Sequence, residues 1–142
     1  MISYAQNLED VALNRVFQNK PRGFYIDVGA HDPLEFSVTK HFYNLGWRGI
    51  NIEPVPASFE RLKAERPDDI NLNLAVGVSH DFVTLYEIVD HPELTTLDKD
   101  IAERTARHVQ ASVKSYTVEM RTLAEICENY CTGFIDFMKI DV

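Results

Sequence analysis

Three short, nearly all-apolar runs, each ended by a breaker residue, restrict what this chain can fold into. Phe24–Val28 is closed by Gly29, Gly49–Glu53 by Pro54, and Asn71–Val76 by Gly77. Runs of this length and apolarity read as strands covered on both faces. The stretches between them carry helical patterns. Residues 34–45 hold Phe36, Val38, Phe42, Tyr43 and Leu45, with Gly46 as a natural C-cap. Pro56–Arg66 has proline at its first turn and Phe59 and Leu62 on one side. Strand–helix–strand–helix–strand with short links implies parallel strands joined by right-handed crossovers, hence an α/β open sheet.

The flanks extend this plan. A helix is predicted from about Tyr4 to Phe17, opened by a capping box of Ser3 and Gln6 and closed by Pro21-Arg22-Gly23. Phe82–Val89 reads as an extra strand, His91–Thr96 as a loop, and Leu97–His108 as a polar helix with a solvated face. Val113–Met120 alternates and is a further strand. Thr122 and Glu125 form a second capping box, opening a helix to about Tyr130. Phe134–Val142 is another buried-type strand, with nothing after it to cover its other edge. The expectation is one partial domain, incomplete in its C-terminal half. Residues 1–22 supply a helix and linker, and residues 23–142 the cofactor-binding core.

Charge narrows the function classes. A net charge of −8 argues against binding a phosphate backbone. No apolar run approaches the ~18 residues of a membrane span. The first residues, Met1 to Gln6, lack the pattern of a signal peptide, and two cysteines make no disulfide framework. A cytoplasmic setting is expected.

In an open parallel sheet, ligands bind beyond the carboxyl ends of the strands. Asp27, Glu53 and Asp141 each stand at such an end. Gly29 lets the backbone come close to a ligand, and Glu53 lies where an acid accepts both hydroxyls of a ribose. The diphosphate loop of nicotinamide and flavin enzymes needs three glycines; here His31 and Leu34 occupy the later positions. Asp27 and Asp32 would also repel a diphosphate. An acidic loop suits a nucleoside cofactor with a cationic end, which points to S-adenosylmethionine over a dinucleotide.

Several motifs in order carry a resemblance. They are Ser3–Asn7 with Glu9-Asp10, Phe24–Pro33, Gly46–Pro54, Asn73–Gly77 and Ile135–Val142, with Leu94–Asp98 a further loop of the same type. Together they resemble the FkbM family of S-adenosylmethionine-dependent methyltransferases over essentially the whole chain. The resemblance implies a Rossmann-like class I methyltransferase domain that methylates oxygen on a small-molecule or glycan hydroxyl acceptor. It implies cofactor contacts from Asp27, Gly29 and Ala30 near the methionine end, from Glu53 and Pro54 at the ribose, and from Ala75 and Val76 at the adenine. Asp141, in the fourth-strand motif Lys139–Val142, is implied beside the reacting methyl. In the family that motif continues with Glu-Gly and further strands, so the chain reads as cut off there.

A hydroxyl is a poor nucleophile at neutral pH, and His31 and Asp141 are the candidate bases. Other roles compete at each position. Asp27 could cap the following helix, Gly29 could serve only a tight turn, and Ala75 and Val76 could be plain core. Lys139 and Asp141, on one face by alternation, could form an ion pair. His31, Asp32 and His41 lack a third close ligand, so no metal site is expected. Cys127 and Cys131 share a helix face as free cysteines, and Trp47 reads as core. Two alternative functions remain: a non-catalytic or remnant nucleotide-binding fragment, and an NAD-type oxidoreductase, against which the missing glycines count.

Overall fold

A computed structural model describes all residues from Met1 to Val142. Helix α1 is Glu9–Val16, followed by strand β1 (Phe24–Val28), helix α2 (Lys40–Asn44), strand β2 (Arg48–Ile52) and helix α3 (Pro56–Glu65). Short strands β3 (Ile70–Leu72) and β4 (Ala75–Val76) come next, then β5 (Asp81–Ile88) and β6 (His91–Thr96). Helix α4 (Lys99–Val109), strand β7 (Val113–Arg121), helix α5 (Leu123–Tyr130) and strand β8 (Phe137–Ile140) complete the order.

The strands form two four-stranded sheets, ordered β3-β2-β1-β8 and β4-β7-β5-β6. All pairings in the first are parallel. In the second, β5 pairs antiparallel with both β6 and β7, and only β4–β7 is parallel. The parallel sheet is the α/β open sheet anticipated from the strand–helix alternation.

Strand alternation decides which face each side chain covers. Ile26 and Val28 of β1 join Ile50, Ile52, Leu74 and Ile126 in one core. Tyr25 points to the opposite face and packs with Phe42 and Trp47, against Leu13, Phe17 and Phe137. Trp47 is thus core. A third cluster, Val55, Ala75, Leu85, Val118 and Met120, fixes the second sheet against the start of α3.

Four sequence expectations are corrected. The Ser3–Gln6 capping box does not form. Buried Asp10 takes the Ser3 hydroxyl at 2.6 Å and the Tyr4 amide at 2.7 Å, and α1 begins only at Glu9 after a left-handed Leu8. Residues 34–39 are not helical. Asp32 accepts the Leu34 and Glu35 amides, Phe36 is left-handed at φ +56°, and Arg66 bonds Pro33 and Ser37. Side-chain bonds to backbone therefore outcompete the helix ladder there. The run Asn71–Val76 is two strands in different sheets. The Asn73 side-chain amide bonds the Glu53 and Pro54 carbonyls and turns the chain between them. His91–Thr96 is a strand, because the left-handed Asp90 folds it back onto β5.

The Thr122–Glu125 capping box is present in both directions. No helix is long and apolar enough to cross a membrane.

Candidate active site

A cleft of about 440 Å³ opens at the carboxyl edge of the parallel sheet. This lies within the range of small-molecule sites, roughly 300–1,000 Å³. One wall is the parallel sheet: Val28, Gly29 and His31 follow β1, and Ile52, Glu53 and Pro54 end β2. The other wall is the second sheet, with Ala75, Val76 and Leu85 at its base and Glu93, Thr96 and Leu97 from β6 and beyond. Asp141 and Val142 close the β8 side.

Glu53 is the best-anchored charge in the cleft. It is 4% exposed. One carboxylate oxygen accepts the His31 amide at 2.7 Å and the other the Val55 amide at 2.8 Å. Burial raises its pKa, opposed by those two amides and by the charges of His31 and Lys139. Each oxygen accepts one amide and keeps a second lone pair.

The β1 turn is held by backbone bonds. The Gly29 and Ala30 amides both donate to the Ile52 carbonyl, at 2.9 and 3.1 Å. Gly29 has φ +71°, and a Cβ there would collide with the Asp141 carbonyl. Glycine is thus required by the approach of β8's end to β1's end. His31 is also left-handed, at φ +52°.

Asp27 and Ala30 do not line the cleft. Asp27 is 1% exposed, beneath its floor. The Thr39 hydroxyl donates to its Oδ2 at 2.7 Å, and Lys139 Nζ stands 3.2 Å from its Oδ1. Lys139 donates to the Gly29 carbonyl at 2.6 Å and lies 3.8 Å from Asp141 Oδ2. The Asp141 side chain is 83% exposed at the rim. Seven of the nine residues singled out from sequence thus converge on the cleft: Gly29, His31, Glu53, Pro54, Ala75, Val76 and Asp141.

Sequence reasoning missed two groups. Glu93, Thr95 and Thr96 became cleft lining only because His91–Thr96 folds back as a strand. Arg66, read as a helix end, is fully buried with Asp69. Asp69 accepts the Tyr25 hydroxyl, the Gly49 amide and the Asn51 side-chain amide, and burial raises its pKa. No local pattern flags a buried arginine whose partners are distant in sequence.

Parallel strands in the order third–second–first–last, with a cleft at their carboxyl edge, define a Rossmann-like α/β methyltransferase fold. The chain belongs to the FkbM methyltransferase family: the Methyltransferase FkbM domain matches residues 27–142. No curated protein and no solved structure matches it.

Proposed function

We propose that the cleft binds S-adenosylmethionine and that the domain transfers its methyl group to a hydroxyl oxygen of a sugar or natural-product acceptor. The carrying observation is Glu53: a buried carboxylate, fixed by the His31 and Val55 amides, facing a cleft of fitting size. Its free lone pairs suit the two hydroxyls of a ribose.

The rest of the lining fits the same ligand. Val28, Ile52, Leu74 and Val76 offer an apolar surface for a purine, next to Ala75. Three carboxylates, Glu53, Glu93 and Asp141, give the cleft a negative lining that favours a cationic ligand and disfavours a diphosphate. Residues 23–142 form the cofactor-binding core in this reading, with 1–22 as an N-terminal helix and linker.

When bound, S-adenosylmethionine supplies an electrophilic methyl carbon on a positively charged sulfur. The chain's part is orientation and proton removal. Glu53 would hold the ribose, and the turn at Gly29 would offer its backbone to the methionine end. Transfer would join the methyl carbon to the acceptor oxygen and return the carbon–sulfur bonding pair to sulfur. The hydroxyl proton passes to His31 or Asp141, both on the cleft wall.

Incubation with S-adenosylmethionine labelled in the methyl group, against a panel of sugar and polyketide hydroxyl acceptors, tests the reading. Label on an ether oxygen supports it. Label found on nitrogen, or none on any acceptor despite cofactor binding, overturns oxygen methylation.

A further inference from the structure

A chain of alternating charges runs beneath the cleft. Its row is set by register: Asp27 of β1 lies opposite Asn51 of β2 on one side and Lys139 of β8 on the other. Asn71 of β3 lies opposite Asn51 in turn, so four polar side chains cross the sheet in one row. Asp69 and Arg66 begin the chain, with Arg66 Nη1 4.0 Å from Asp69 Oδ2. Arg66 is fully buried, its Nε has no partner, and it reaches the Thr39 hydroxyl at 2.9 Å. Thr39, itself buried, donates its hydroxyl hydrogen bond to Asp27 Oδ2 at 2.7 Å. Asp27 faces Lys139, and Lys139 holds the Gly29 carbonyl.

Burying an arginine and two aspartates is expensive, and apolar packing of the same volume is often no less stable. Fold stability alone gives no reason for this route. Its two ends do. One end orders residues 33–39, which leave the cleft after His31. The other ends on the Gly29 carbonyl and near Asp141, both at the cleft.

We propose that Thr39 is a positioning residue for the cofactor site. Its hydroxyl couples Arg66 to Asp27, and through Asp27 it steers Lys139 onto the Gly29 carbonyl. One hydroxyl both accepts and donates here, so its loss frees two charged groups at once. Asp27 then turns, Lys139 follows it or moves to exposed Asp141, and the Gly29 turn loses its clamp. This inference rests on the proposed cofactor reading.

Calorimetric titration of S-adenosylhomocysteine into wild type, Thr39→Val and Thr39→Ser tests it, with far-UV circular dichroism to confirm folding. Thr39→Val keeps the shape and removes the hydroxyl. The expected result is a loss of about tenfold or more in affinity for Thr39→Val, the scale of a hydrogen bond to a charged group. Thr39→Ser is expected within about threefold of wild type, since it keeps the bond. Wild-type affinity in Thr39→Val, or equal losses in both variants, overturns the proposal. If Thr39→Val does not fold, Lys139→Met, cut at the half-buried far end, is expected to show the same loss, and unchanged affinity there overturns it. Hydrogen exchange at the Gly29 and Ala30 amides decides independently of ligand: faster exchange in Thr39→Val but not in Thr39→Ser supports coupling, and equal exchange overturns it. Failure of wild type to bind S-adenosylhomocysteine would instead count against the cofactor reading, leaving the exchange result to judge Thr39.

Discussion

The carboxylate of Glu53 accepts the backbone amide of His31 at 2.7 Å. The end of β2 thereby fixes the left-handed residue that carries the β1 turn into the cleft. The same carboxylate also accepts the Val55 amide at 2.8 Å and lines the cleft.

Glutamine is therefore not a mild replacement at position 53. Both carboxylate oxygens accept backbone amides, from His31 and Val55, and a side-chain amide would set its NH₂ against one of them. Glu53→Gln is expected to cost about 1–3 kcal/mol of stability, measured by urea unfolding at unchanged slope. Its affinity for S-adenosylhomocysteine is expected to fall more than that of an Asp141→Asn variant, whose side chain is exposed.

Acid dependence follows from the same carboxyl. Burial raises its pKa above the unfolded value, so the folded chain holds that proton more tightly. Its contribution to stability is present below the unfolded pKa and is lost as pH rises through the folded one. In the proposed site ribose hydroxyls would donate to the ionised form, so ligand affinity is expected to run the other way. Titrations at falling pH are expected to show weakening that begins above the usual carboxylate range. An unchanged affinity across that range would remove Glu53 from ribose binding.

Two left-handed glycines separate strain from collision. Gly46, at φ +91°, has open space where a Cβ would stand, whereas at Gly29 a Cβ meets the Asp141 backbone. Gly46→Ala is expected to cost about 1–2 kcal/mol from conformation alone. Gly29→Ala is expected to cost about 2–4 kcal/mol, since β8 must also shift away from β1. Parallel denaturant melts check the difference.

His31 is left-handed without being glycine, so His31→Gly removes strain as well as the imidazole. Stability is expected to hold or to rise by up to about 1 kcal/mol. If His31 takes the acceptor proton, kcat falls by about a hundredfold or more while KM changes little. Wild-type kcat would leave Asp141 as the candidate base.

The parallel sheet was legible because Phe24–Val28 and Gly49–Glu53 are apolar runs with sharp ends, and those ends carried one wall of the cleft with them. What was not legible depended on single long-range bonds. Residues 34–39 have helical spacing, but Arg66, over thirty positions away for its most distant partner Pro33, holds them as a loop. Asn73 splits an apolar run between two sheets through bonds to Glu53 and Pro54. Asp27 reads as a ligand acid from its place at a strand end. Only the register with Lys139 and the bond from Thr39 put it under the floor.

The most direct test is a pair of calorimetric titrations, of S-adenosylhomocysteine and of NAD, into wild type and Glu53→Ala. The expected result is one-to-one binding of S-adenosylhomocysteine by wild type, a loss of at least about tenfold in Glu53→Ala, and no binding of NAD. Binding of NAD in preference, or equal affinity for S-adenosylhomocysteine in both proteins, would contradict a cleft built around Glu53 for S-adenosylmethionine.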